Sequence, residues 1–194
     1  MKTIKINDSK MSDTEIEKVK RKARAFLIQD DKVLVANYGG VWLLPGGSIE
    51  PDETKDEAII RELKEETGVA YDLSELENVL TINFFEKDYP ITSKININRL
   101  LVTDYYFGYY KGLDIFNTKR SNSEKKSNFS LKLVTYEELE ALINEPSDNP
   151  RKEFFDRELK EVLSYLKSTI TNEKDDSEAL DISTLKLTKK DLEK

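Results

Sequence analysis

The sequence predicts an α+β fold in which a sheet is layered with helices, a three-layer sandwich. Two kinds of segment point there. Runs such as Lys32-Val33-Leu34-Val35-Ala36-Asn37 and Arg99-Leu100-Leu101-Val102-Thr103-Asp104-Tyr105-Tyr106-Phe107 are rich in branched and aromatic residues, as strands are. Three other segments, opening near Asp52, Tyr136 and Arg151, set apolar residues at helical spacing. Their order is strands, helix, strands, helix, helix.

Taken along the chain, residues 1–19 alternate in charge with thin apolar content and read as a short strand or a loosely attached arm. Residues 22–28 and 32–37 pair as a hairpin across Asp30-Asp31. Tyr38-Gly39-Gly40 is a flexible break. Val41-Trp42-Leu43-Leu44 is a short strand that Pro45 stops, leading straight into Gly46-Gly47. The first helix is capped by Asp52 or Thr54, whose short side chains accept from free N–H groups, and Gly68 ends it. Residues 76–85 form a strand, and the polar stretch 86–98 with Pro90 predicts a long loop. Residues 99–110 are the most strand-like run, 117–128 a polar, mobile loop, and 129–134 another strand. Thr135 caps a helix over Tyr136–Ile143, with Glu137 and Glu138 in its first turn, where the dipole favours them. Residues 146–150 are a linker, and 151–166 an amphipathic helix with Phe154, Phe155, Leu159, Val162, Leu163 and Leu166 apolar. The chain thus divides into an arm (1–19), a main domain (20–167) and a polar, charged tail (168–194) that is disordered or weakly helical.

Composition narrows the chemistry. With 31 basic against 38 acidic residues the net charge is −7, which opposes a broad nucleic-acid or anionic-lipid footprint. There is no cysteine, so disulfides, thiolate zinc sites and a cysteine nucleophile are excluded. There is also no histidine, which removes serine–histidine triads and histidine metal sites. Carboxylates, Lys, Arg, Tyr or a hard metal ion held by oxygen must do the work. No membrane-length apolar run or signal-peptide core is found, so a cytoplasmic location is expected.

The first helix carries an unusual density of carboxylates. At 100° per residue Ala58, Glu62, Glu65 and Glu66 share a face, and Ile59, Ile60 and Leu63 are read as opposing it. Clustered like charges repel by a few tenths of a kcal/mol per pair. A cation in the gap explains why a helix keeps them. Magnesium, which prefers oxygen ligands and keeps several waters, suits such a face. A cation of this kind neutralises phosphate oxygens and activates water in pyrophosphate hydrolysis. Arg61, at i±4 from Glu57 and Glu65, can pin a carboxylate.

The spacing has a second message. Gly47, five residues, Glu53, seven residues, Arg61-Glu62-Leu63, one residue, Glu65-Glu66, one residue, Gly68-Val69 resembles the box of the Nudix hydrolase family at every constrained position. The flanking Trp42-Leu43-Leu44-Pro45-Gly46 and the order of elements are similar to that family over about residues 20–166. The resemblance implies an α/β/α sandwich with a mixed central sheet, and a main domain that hydrolyses acid anhydrides. It implies Mg2+, with Mn2+ as a substitute, held by Glu62, Glu65, Glu66 and the backbone carbonyl of Gly46. It also implies that Arg61 and Glu53 pair to hold the loop onto the helix.

The general base stays open among Glu53, Glu65 or Glu66 acting on water at the metal, and Glu124 in the loop before the 129–134 strand. Trp42, Tyr38, Tyr105, Phe107 and Tyr109 are candidates to stack a base, and Arg24 and Arg99 to meet phosphates. The substrate expected is a nucleoside triphosphate or a nucleoside diphosphate linked to another moiety, such as a nucleotide-sugar. The proline of the ADP-ribose subfamily is missing from Thr81-Ile82-Asn83-Phe84-Phe85, and no diadenosine or coenzyme A signature is present. No membrane or DNA partner is expected, and a homodimer is allowed. The alternative is a non-enzymatic member that binds a nucleotide for sensing; such members usually lose box carboxylates, and this chain keeps them all.

Overall fold

Branched and aromatic runs become the strands of one mixed sheet. A computed structural model of the protein describes residues 1–119 and 129–172. Its strands are β1 (Lys2–Ile6), β2 (Lys18–Gln29), β3 (Lys32–Asn37), β4 (Trp42–Leu43), β5 (Gly46–Ser48), β6 (Glu77–Pro90), β7 (Asn96–Tyr109) and β8 (Ser130–Thr135). The helices are α1 (Lys55–Thr67), α2 (Tyr136–Ile143) and α3 (Lys152–Asn172). The strands lie in the order β1-β6-β7-β2-β3-β4, with β5 on β2 and β8 on β3. β1 runs parallel to β6 and β2 parallel to β7, while β6–β7, β2–β3, β2–β5, β3–β4 and β3–β8 are antiparallel. The chain divides into two compact units, Met1–Glu158 and Leu159–Lys194, and α3 opens in the first.

One strand positions the site. β2 keeps β7 along one edge for eleven register pairs, from Lys18↔Arg99 to Ile28↔Tyr109. Its other edge is shared: Ile28 and Gln29 turn into β3 through the Asp30-Asp31 hairpin, while Lys22, Ala23 and Arg24 pair with β5. Asp30 takes a positive φ of 54°, which a short Asp side chain tolerates better than most. The split edge splices the glycine turn onto the central sheet.

Strand parity sorts the two faces. Ala23, Ala25 and Leu27 pack with Ala58, Ile59 and Leu63 of α1, Leu34 and Tyr106 in the core on one side. The alternate residues Lys22, Arg24 and Phe26 of β2 face the other side, in register with Thr103, Tyr105 and Phe107 of β7. There Glu158 of α3 accepts from Thr103 (2.6 Å) and Tyr105 (2.8 Å). Tyr105 is therefore a buried core residue, not an open stacking surface.

Two expectations from the sequence are corrected. The long loop over 86–98 is a hairpin: β6 continues to Pro90, Tyr89 and Pro90 pair with Ile97 and Asn96, and only 91–95 lie between the strands. A register shift between Glu86 and Tyr89, with Asp88 at φ 53°, absorbs the irregularity, and Pro90 sits at the strand end where it removes no inner ladder bond. Burial of Glu86, Tyr89 and Arg99 holds this polar segment in place. On α1, Glu66 does not oppose the apolar stripe. It lies about 20° from Ile59 on the helical wheel, and Ala58, Ile59, Leu63 and Glu66 are all buried.

The caps follow the chemistry of the termini. Thr54, not Asp52, accepts from Glu57 N–H at the start of α1, and Glu57 answers to the Thr54 N–H, a capping box. Gly68 closes α1 in the left-handed region (φ 76°). Thr135 and Glu138 form the same box on α2. The helix expected to end near Leu166 runs on to Asn172, and the weak helix expected near Thr188 lies outside the described residues. Among the described residues no helix is long and apolar enough to cross a membrane.

Candidate active site

The glycine turn, the loop behind it and α1 converge on Arg61. Its guanidinium binds Glu53 through two bonds, Nε to Oε2 at 3.0 Å and Nη2 to Oε1 at 2.5 Å. Nη2 also donates to the Ser48 carbonyl (3.0 Å), and Nη1 to Glu62 (3.0 Å) and Glu65 (3.4 Å). A planar fork that serves a carboxylate in bidentate fashion fixes geometry as well as charge. Arg61 therefore locks the loop against α1 and holds two carboxylates of the next turn. The hydrogen bonds from Arg61 keep the Glu53 carboxyl below its ordinary range. Glu53 also accepts the Glu50 N–H at 2.8 Å, which leaves it occupied on both oxygens.

Gly47 is glycine because of Glu62. A Cβ at Gly47 would run into the Glu62 carboxylate, so that acidic side chain lies directly on the turn's backbone. Gly46 takes φ +125°, and a Cβ there would meet the Ala23 carbonyl and Arg24 backbone of β2. The two glycines thus let β5 approach the helix on one side and the strand on the other.

Glu66 is the buried member of the trio, 2% exposed. Its Oε2 accepts the Gly46 N–H at 2.9 Å, and its Oε1 accepts the Tyr38 hydroxyl. The same hydroxyl lies 3.5 Å from the Gly46 carbonyl. Burial pushes the Glu66 carboxyl up to about 8; the Tyr38 and Gly46 hydrogen bonds and the charge of Arg24 oppose that, and the Glu62 charge reinforces it. Arg24, 3% exposed, donates through Nη1 to the carbonyls of Leu44 (2.5 Å) and Gly46 (3.2 Å). It is a brace for the turn from within β2.

The structure brings Gly46, Glu53, Arg61, Glu62, Glu65 and Glu66 together, with Tyr38 and Arg24 against them. Trp42 stands half-buried on β4, in register with Asn37. Arg99 is not part of the group. It lies on β7 six residues before Tyr105, the partner of Arg24, about 20 Å along the strand, and is buried in an ion pair with Glu86 while its guanidinium lies 3.2 Å over the Tyr89 ring. Phe107 and Tyr109 pack edge to face on one another at 5.7 Å. Glu124 lies outside the described residues.

The roles of Tyr38 and Arg24 toward the turn were missed in the sequence, though one carried a signal. Arg24 is the single charge in the run Ala23–Ile28, and a lone guanidinium in an apolar strand needs carbonyls or carboxylates of its own. Nothing local marks Tyr38 as the partner of a residue 28 positions away.

The donors suit a hard divalent cation. All are oxygens, and a buried carboxylate whose burial disfavours its charge gains most from a cation beside it. The side chains are not yet gathered as a cage: among the described residues no three carboxylates are disposed to hold an ion as they stand. Glu62 and Glu65 lean on Arg61, and Glu66 on Gly46 and Tyr38.

Comparison with known proteins places this geometry. The family model for the NUDIX domain matches residues 18–159. An RNA pyrophosphohydrolase from Erythrobacter litoralis is 54% identical over 37 residues, 19% of this chain and 23% of that protein. The CTP pyrophosphohydrolase of Escherichia coli is 39% identical over 51 residues, 23% of this chain and 38% of that protein. The chain thus spans less than half the length of either relative. Among solved structures, the MutT protein of Bacillus halodurans superposes with a TM-score of 0.46 and 22% identity, over 74% of this chain and 82% of that one. The family match covers well over half of the chain and encloses the whole turn–loop–helix assembly around Arg61: the protein belongs to the NUDIX domain family.

Proposed function

We propose that the chain hydrolyses a phosphoanhydride bond in a nucleoside triphosphate or in a nucleoside diphosphate linked to another moiety such as a sugar. The observation that supports this most is the seam between β5 and α1, where Arg61 binds Glu53, Glu62 and Glu65 and the Gly46 N–H meets the Glu66 carboxyl. Glu62, Glu65, Glu66 and the Gly46 carbonyl would hold Mg2+ or Mn2+. Such an ion, when bound, neutralises phosphate oxygens and makes water a better nucleophile.

The residues divide the remaining work. Water adds to phosphorus, the bridging P–O bond breaks, the bridging oxygen leaves with its electron pair, and the proton from water passes to a carboxylate. Glu53 is a poor acceptor, because Arg61 occupies both oxygens and lowers its basicity. Glu65, the most exposed of the trio and tied only by a 3.4 Å contact, is the better base. Arg61 and Arg24 keep the loop and the glycine turn in place, and half-buried Trp42 is the candidate to stack a base. By their names the relatives above act on RNA and on CTP, which favours a nucleotide as the first class to try.

The test is release of phosphate or pyrophosphate from a panel of nucleotides and nucleotide-sugars, with Mg2+ and with Mn2+. Turnover of at least one compound is expected, falling by more than about 100-fold in both Glu65→Gln and Glu66→Gln, with circular dichroism unchanged. Full activity in both variants would sink the metal assignment, and no turnover of any compound would sink the activity.

A further inference from the structure

Tyr38 brings a neutral hydroxyl to both the Gly46 carbonyl and the Glu66 carboxyl. It is the first corner of a tight turn: Tyr38 N–H donates to the Val41 carbonyl (2.8 Å), Val41 N–H returns to the Tyr38 carbonyl, and Gly39 and Gly40 between them both have positive φ (59° and 84°). That pattern is a two-residue hairpin turn of the type that suits strand twist. The backbone under Tyr38 is therefore set, and its half-buried ring lies edge-on to Phe129 at 4.9 Å and against Val41, Leu43 and Phe155.

What the ring carries at its tip matters. The hydroxyl meets Glu66 Oε1 and stands 3.5 Å from the Gly46 carbonyl, while the Gly46 N–H holds the other oxygen of Glu66. Two oxygens assigned to the cation thus face one point, and the phenol oxygen sits at that point. Mg2+ needs its ligands at about 2.0–2.1 Å in a near-octahedral shell. A hydroxyl donating to Glu66 and a cation bound by Glu66 Oε1 and Gly46 carbonyl cannot share that space.

We propose that Tyr38 is a positioning residue that stands in for the cation. Without the ion its hydroxyl donates to the Glu66 carboxyl beside the Gly46 carbonyl and keeps the buried acid satisfied. Uptake of a divalent ion displaces the hydroxyl, by rotation of the side chain over a fixed turn. The cost of breaking that hydrogen bond is subtracted from the ion's affinity. This rests on the assignment of Gly46 and Glu66 as cation ligands.

Direct Mn2+ binding to the full chain without substrate, followed by loss of the free-ion paramagnetic resonance signal, separates the two ideas. Wild-type protein, Glu66→Gln and Tyr38→Phe are compared. Expected are measurable binding in the wild type, at least tenfold weaker binding in Glu66→Gln, and several-fold to tenfold tighter binding in Tyr38→Phe, the range that follows from freeing one hydrogen bond. If Glu66→Gln loses the ion and Tyr38→Phe binds it no better than the wild type, the ligand assignment holds and the stand-in role is overturned. If Glu66→Gln binds as the wild type does, the assignment itself fails and the stand-in role falls with it. In wild-type protein carrying a 13C label on the tyrosine ζ carbon, the resonance absent from Tyr38→Phe should shift on saturation with Mg2+. An unmoved resonance in a protein that binds the ion would equally overturn the proposal.

Discussion

Arg61 and Arg99 both hold carboxylates, and they do so for opposite ends. Arg61 is 28% exposed in its side chain and distributes its donors over Glu53, Glu62, Glu65 and a carbonyl. Arg99 is nearly sealed, pairs with the single acid Glu86, and leaves Nη2 and Glu86 Oε1 without hydrogen-bond partners. A buried pair of this kind is costly to assemble and more costly to halve. A half-open hub shares its acids and can release them to another cation. The first arrangement is suited to chemistry, the second to holding a hairpin in register.

Breaking each arginine in turn sharpens the contrast. Arg99→Ala leaves Glu86 buried without its counter-charge and should cost about 3–5 kcal/mol, or roughly 10 °C in Tm. Turnover per folded molecule should stay within a factor of two of the wild type. A thermal melt with an unchanged midpoint would show that the pair is not structural. Arg61→Ala should do the reverse: activity falls by about 10–100-fold, as when the support of a metal ligand is removed. Stability changes by about 1 kcal/mol or less, because the site is partly solvated. Equal losses of stability in the two variants would erase the distinction drawn here.

A third effect is expected in the pH dependence of stability in the presence of chelator. The folded-state value of Glu66, about 8, lies above the ordinary 4.5 that an unfolded chain would show. The folded protein then binds more protons than the unfolded one between those values. The stabilisation is full below about pH 4.5, declines as pH rises, and is lost through pH 8. Chemical denaturation in chelator should therefore show stability decreasing from pH 5 to pH 8, at up to about 1.4 kcal/mol per pH unit. Glu66→Gln should flatten the slope. A slope equally steep in that variant would place its origin elsewhere.

The glycine turn, the capped helix and the acids on it were legible in the sequence because each is a local event. Thr54 caps with Glu57 three residues on, Gly68 closes onto Lys64 four residues back, and Glu62, Glu65 and Glu66 lie within five residues. The family resemblance supplied the Arg61–Glu53 bond, which spans eight positions. What composition concealed was long-range pairing. Residues 86–98 look like a loop because their polar residues are partnered across the hairpin, Glu86 with Arg99 and the Asp88 N–H with Asn98. The position of Glu66 was misjudged for a related reason: an acid on the border between two sectors of a helix is read as solvated unless its partner is known. That partner, Tyr38, lies on another strand's end.

The divided edge of β2 has one more consequence. The oxygen at Gly46 belongs to a strand of three residues that is laced to the middle of the sheet at Lys22, Ala23 and Arg24. It therefore inherits the stiffness of a strand held along both edges, with β7 in register against β2 on the far side.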